Sequence, residues 1–183
     1  FPAIAIAGEL RKIEPDAEIL FIGTKDKIEA RIVPQQGYAF RPIWISGFHR
    51  RLRFSNLLFP LKVMVSFMES MSIIRSFKPD VVVGTGGYVS GPVLRAAMLA
   101  KVPTLIQEQN SAPGVTTRLL AKKSNEVHLS FESSLEYFTQ CQNVFVSGNP
   151  TRDTLEHVSR DEALAYFGFN PLEQKKTLLV FGG

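Results

Sequence analysis

The chain has 183 residues, of which 45% are hydrophobic and 21% charged, and its formal net charge is +4. A domain of this size buries about 70% of its unfolded surface without needing metal or disulfide staples, and modest charge with 14 Phe excludes a disordered tail. The single Cys141 excludes a disulfide framework and a cysteine zinc site, no apolar run reaches the roughly 18 residues of a spanning helix, and no signal-peptide pattern is visible, so a reducing cytoplasm is expected.

Residues 1–12 read as a helix. A parallel α/β unit puts a strand ahead of such a helix, so the first strand is expected to be missing. The chain begins at Phe1 and stops at Phe181-Gly182-Gly183, and both ends read as cut. Residues 18–22, followed by Gly23, predict a strand. Residues 60–77 predict the longest helix, ended by Pro79. A strand at 81–83 runs into Gly84, and a helix at 92–101 starts with a proline suited to a first turn. Next come a strand at 104–106, a helix at 114–123 behind Pro113, and strands at 126–130, 143–147 and 177–181. The strands are short and rich in Val, Ile, Leu or Phe, as buried parallel strands are. The alternation predicts an α/β domain with a mainly parallel, doubly wound sheet. A charged stretch at 158–176 places a domain boundary near 150–160.

Gly84-Thr85-Gly86-Gly87-Tyr88-Val89-Ser90-Gly91-Pro92 lies between a strand and a helix. Ligands of α/β sheets bind outside the carboxyl ends of the strands. Glycines there let the backbone approach an anion, and the free N–H groups of the next helix point at it. Pyrophosphate is the expected ligand. A dinucleotide fingerprint is excluded because the sixth position from Gly84 is Val89, and a P-loop because Pro92 follows Gly91. The competing reading is a tight turn that only packs helix on strand.

Gln107-Glu108-Gln109-Asn110 follows the strand at 104–106. Polar residues there are costly to bury without partners, so they are expected to face a polar ligand such as a sugar. Glu108 can orient a hydroxyl or act as a base, and Asn110 can both donate and accept. Capping of the helix after Pro113 is the alternative. Gly148-Asn149-Pro150-Thr151-Arg152 follows the strand at 143–147 in the same way. Arg152 is a candidate for a phosphate or carboxylate, with an Asx turn as the alternative. His49, His128 and His157 share no metal spacing, and His128 is expected to be structural.

Residues 30–68 contain no Asp or Glu. They carry Arg31, Arg41, Arg50, Arg51, Arg53 and Lys62 among Phe48, Leu52, Phe54, Leu57, Leu58, Phe59 and Leu61. In the following helix Leu61, Met64, Val65 and Met68 share one face, and Val63, Phe67 and Ile74 another. More than one apolar face implies that one side meets the core and another meets something else. Basic residues beside apolar ones suit an anionic membrane surface. An ordinary core helix behind a solvated basic loop is the alternative, and nucleic acid is the weaker reading.

Taken in order, Ile45-Ser46-Gly47, Lys78-Pro79-Asp80 running into 84–92, Glu108-Gln109-Asn110, and Gly148-Asn149-Pro150 with Arg152 resemble the amino-terminal part of the MurG family of bacterial glycosyltransferases. The resemblance extends over the whole chain. It implies the amino-terminal half of a GT-B fold, two Rossmann-like domains facing a cleft. Residues 1–155 would be the acceptor-binding domain without its first strand, and 156–183 the linker and first strand of the donor domain. Gly86, Gly87, Tyr88, Ser90 and Glu108 would lie by the pyrophosphate and sugar of lipid I. Asn110 and Arg152 would contact UDP-GlcNAc. Arg50, Arg51, Arg53, Leu57, Leu58, Phe59, Leu61 and Lys62 would form a patch on the anionic inner-membrane surface.

The implied activity is an inverting N-acetylglucosaminyl transfer that makes lipid II for peptidoglycan, with no cofactor and no metal. The implied location is peripheral, on the cytoplasmic face of the bacterial inner membrane. Other cell-wall synthesis proteins are further implied partners, and nucleic acid is not. The family's first glycine loop, Gly-Gly-Thr-Gly-Gly-His, precedes a segment like Phe1-Pro2-Ala3. Its proposed catalytic histidine would therefore lie upstream of Phe1, leaving Glu108 as the candidate within these residues. Thr117 stands where the family often has Asn. The 183 residues alone are expected to be inactive. Two rivals stand beside this reading: a non-catalytic, membrane-associated acceptor-binding half of a split glycosyltransferase, and a related transferase with another lipid acceptor.

Overall fold

The computed structural model describes residues 2–46, 59–151, 158–170 and 176. The strand expected at 177–181, together with Gly47, His49, Arg50, Arg51, Arg53, Leu57, Leu58, Arg152 and His157, lies outside the described residues. The chain divides into two compact units, Phe1–Pro150 and Thr151–Gly183.

In the first unit, helix α1 (Pro2–Ile13) leads to strand β1 (Leu20–Gly23), helix α2 (Glu29–Gln35) and strand β2 (Ala39–Pro42). The long helix α3 (Phe59–Phe77) is followed by β3 (Val82–Gly84), α4 (Gly87–Leu99), β4 (Thr104–Glu108), α5 (Val115–Ala121) and β5 (Glu126–Leu129). A 3-10 helix (Glu132–Phe138) and β6 (Val144–Val146) complete the unit. All strand pairs are parallel. They form two sheets, β1-β2 and β3-β4-β5-β6. The second unit contains α6 (Arg160–Tyr166), opened by a reciprocal cap in which Ser159 and Glu162 satisfy each other's backbone N–H groups.

The core explains why these segments take these forms. Ile106, Val127 and Leu129 on β4 and β5 and Leu94, Ala96 and Ala97 on α4 form one buried cluster with Ile43, Ile74, Val82 and Phe138. Ile22 and Ile45, from either side of β2, pack against the same cluster. A smaller cluster of Ala7, Val33 and Tyr38 seats α1. At the turn after β1, Thr24 donates to Glu29 from its hydroxyl at 2.7 Å and its N–H at 3.2 Å. Burial acts to raise the Glu29 carboxyl, but these bonds hold it below the ordinary carboxylate value.

Three local expectations change. Helix α4 begins at Gly87 rather than at Pro92, which sits inside it. Gly86 has φ 84° and ψ −168°, so the chain reverses at once and no longer turn is needed. Strand β4 continues through Gln107 and Glu108, both about 2% exposed, so these polar residues belong to the strand rather than follow it. In α3 the fully buried positions are Ser66 and Ser70, with Ile74. Of the second apolar face, Ile74 is buried in the core and Phe67 packs against it, while Val63 is 38% exposed, so only part of that face meets the core. The serine hydroxyls donate to carbonyls of their own helix, Ser66 to Val63 and Ser70 to Ser66. That satisfaction lets two polar residues be fully buried on α3, which packs against α4.

Candidate functional site

Beyond the carboxyl ends of β3 and β4 lies a cleft of about 140 Å³. Gly86, Gly87, Glu108, Gln109, Asn110, Gly114, Val115, Thr116 and Thr117 line it. Two pieces of backbone meet there. One is the amino terminus of α4, where no side chain caps the first turn. Its N–H groups and the helix dipole favour an anion at that end. The other is the loop from Gln109 to Gly114.

Glu108 organises that loop. Its Oε1 accepts the Asn110 backbone N–H at 3.0 Å and the Asn110 side-chain Nδ2 at 2.8 Å. Its Oε2 accepts the Gly114 N–H at 3.3 Å. A buried carboxylate without partners would cost several kcal/mol, and here three donors offset that cost. One amide proton of Asn110 is thereby committed, while its Oδ1 and second amide proton face no such claim from Glu108. Asn110 is itself exposed.

Gln107 binds the strand ends together. Its Nε2 donates to Ser130 Oγ at 3.1 Å and to the Gly148 carbonyl at 3.4 Å. Ser130 also donates to Gly148 O. Gln109 folds back onto Gln107, donating to its carbonyl at 3.0 Å and also to its side-chain oxygen. Among the described residues no buried side-chain nitrogen or oxygen lacks a hydrogen-bond partner.

The cleft brings together Gly86, Gly87, Glu108, Gln109 and Asn110 of the residues singled out in the sequence. Tyr88 and Ser90 are elsewhere: both sit in the first turn of α4 and neither lines the cleft. The Ser90 hydroxyl donates to Gly86 O, bracing the helix start. Gly114, Val115 and Thr116 were missed as lining residues, and Thr117 entered only as a departure from the family's pattern. The adjacent Pro113-Gly114 pair was the available signal, because it returns the chain sharply into α5. His128 lies on β5, 3.0 Å from Glu126 and stacked on Phe145. Among the described residues no three His, Cys, Asp or Glu side chains converge on a metal position. Burial pushes the Cys141 thiol up, and Lys122 offsets this only in part.

A second surface runs along α3. Leu61, Met64 and Met68 are exposed on its outer side, while Val65 is half-buried. An open groove of about 500 Å³ follows, lined by Phe67, Met68, Met71, Ser72, Arg75 and Ser76. Lys62 lies 5.6 Å from the centre of the exposed Trp44 ring and donates to Ser46 at 3.0 Å. Glu69 accepts the Trp44 N–H at 2.7 Å, fixing that residue beside the helix. Among the described residues no helix is long and apolar enough to cross a membrane.

Comparison with known proteins gives a consistent result. Residues 1–129 match the glycosyltransferase family 28 N-terminal domain. A UDP-N-acetylglucosamine–N-acetylmuramyl-(pentapeptide) pyrophosphoryl-undecaprenol N-acetylglucosamine transferase of Christiangramia forsetii is 47% identical over 185 residues, covering 100% of this chain and 50% of the relative. The protein of the same name from Salinibacter ruber is 46% identical, covering 100% and 49%. The chain thus spans about half the length of the curated relatives it matches. The crystal structure of Acinetobacter baumannii MurG resembles it with a TM-score of 0.65 at 28% identity, over 84% of this chain and 42% of that one.

Proposed function

The chain belongs to the glycosyltransferase family 28 N-terminal domain family, and from that premise we propose that it is the acceptor-binding half of an N-acetylglucosaminyltransferase. The complete protein moves GlcNAc from UDP-GlcNAc to undecaprenyl-pyrophosphoryl-MurNAc-pentapeptide, as the names of its relatives describe for them. The observation that carries this reading is the shared cleft. An uncapped helix start and a polar loop with an exposed amide line the same small space.

The acceptor pyrophosphate lies against the amino terminus of α4, where Gly86 and Gly87 admit it closely and the N–H groups offset its charge. A base removes the proton of the acceptor sugar hydroxyl. The hydroxyl oxygen bonds to the anomeric carbon of UDP-GlcNAc from the face opposite the departing group. The bond from that carbon to the phosphate oxygen breaks, and UDP leaves with the electron pair and with inversion. Asn110 contacts the donor, and Arg152, outside the described residues, supplies positive charge toward the phosphate. Glu108 has both oxygens engaged within its own loop, which supports a positioning role over that of the base. The outer side of α3, with the basic run before it, rests on the anionic face of the inner membrane. No cofactor takes part.

The test is transfer by the full-length protein to a lipid I analogue. Asn110→Ala should lower kcat/KM at least tenfold, more than about 1.4 kcal/mol of transition-state stabilisation. Unchanged kinetics would remove Asn110 from the site.

A further inference from the structure

A second buried group besides Glu108 holds the Asn110 loop. Ser134, in the 3-10 helix, is 0% exposed. Its hydroxyl oxygen lies 3.1 Å from the Asn110 carbonyl oxygen and 3.1 Å from that of Ser111. One hydroxyl proton serves both acceptors, shared or alternating between them. Residues 109–114 carry no regular secondary structure of their own. Their course depends on side chains that reach in from elsewhere.

The division of labour follows from hydrogen-bond polarity. Glu108 can only accept, and it takes the N–H groups of Asn110 and Gly114. Ser134 donates, and it takes the carbonyls. Asn110 is therefore held at its backbone N–H, its backbone carbonyl and its side-chain nitrogen together. We propose that Ser134 is a positioning residue for Asn110, which it orients toward the sugar nucleotide by tethering the Asn110-Ser111 backbone. The proposal rests on the reading of the cleft as the transfer site.

The experiment uses the full-length protein with Ser134→Ala, Ser134→Thr, Asn110→Ala and the double variant Ser134→Ala/Asn110→Ala. Alanine leaves almost the same volume, so the fold is retained and the hydroxyl alone is removed. Ser134→Ala should raise KM for UDP-GlcNAc about three- to tenfold with kcat changed about twofold or less, and should have no further effect once Asn110 is alanine. Ser134→Thr, which keeps the hydroxyl, should restore KM. A KM unchanged by Ser134→Ala, or an equal rise with and without the Asn110 side chain, overturns the proposal. If the unsubstituted protein transfers no GlcNAc, the functional reading fails, and amide hydrogen exchange at Asn110 and Gly114 decides the tether on its own. Faster exchange in Ser134→Ala supports it, and unchanged exchange overturns it.

Discussion

The cleft and the outer side of α3 are built on opposite principles. Around the cleft every buried side-chain nitrogen and oxygen among the described residues has a partner, and Glu108, Gln107 and Ser134 fix the backbone by directional bonds. On α3 the exposed groups are Leu61, Met64 and Met68, which have flexible side chains and no directional demand. The first arrangement suits one ligand in one pose. The second suits a surface whose components move laterally and present no fixed pattern. The two should therefore respond to different insults: the cleft to loss of a single bond, the α3 face to a change of polarity.

The largest separation of the two should come from Glu108→Gln in the full-length protein. The new amide nitrogen cannot accept from Asn110 or Gly114, and a charge-assisted bond is lost. A loss of about 2 kcal/mol or more, some thirtyfold in kcat/KM, is expected. Binding to anionic vesicles should not change, and a parallel loss there would break the comparison. Gly86→Ala comes next. An L side chain at that φ and ψ costs about 1–3 kcal/mol, read as a lower melting temperature and a raised KM for the lipid acceptor.

Met64→Glu with Met68→Glu tests the other region. Sedimentation with anionic vesicles should fall about tenfold, in keeping with 1.5–3 kcal/mol for each buried Met side chain discounted for partial insertion. Transfer to a water-soluble acceptor should stay as it was. Equal binding of the parent protein to neutral and anionic vesicles would remove the membrane reading.

The smallest effect lies away from both regions. The Glu29 carboxyl is held below its ordinary value in the folded chain. Its stabilising contribution is complete above the unfolded carboxylate value of about 4.3 and is lost as pH falls through the lower folded value. Denaturation of the parent and of Glu29→Gln should differ at pH 7 and converge in acid.

Much of this architecture was legible in the residue pattern because Gly and Pro punctuate it. Helix α3 starts within a residue of expectation and ends with it, since Lys78 adopts φ 51° just before Pro79. Strands β3, β5 and β6 were apparent as short apolar runs. Pro92 misled, since a proline at the sixth position of a helix looks like a proline at the first. Helix α2 was hidden by Pro34 within it, and β2 reads as Ala-Phe-Arg-Pro, a sequence with little strand signature. For the site, Gly86, Gly87, Glu108 and Asn110 could be found because they sit where strands end. Val115, Thr116 and Ser134 could not. Whether they meet the cleft depends on how the chain returns after Pro113 and where the 3-10 helix packs, and neither is encoded in local spacing.

The buried serines of α3 separate two faces with different demands. Ser66 and Ser70 settle their hydroxyls within the helix, so neither leaves a buried donor for a neighbouring element to satisfy. The outward positions Leu61, Met64 and Met68 lie outside the core packing, so their apolar content can change without disturbing the fold behind them. One helix thus carries an outer face that can vary and an inner face that keeps its packing.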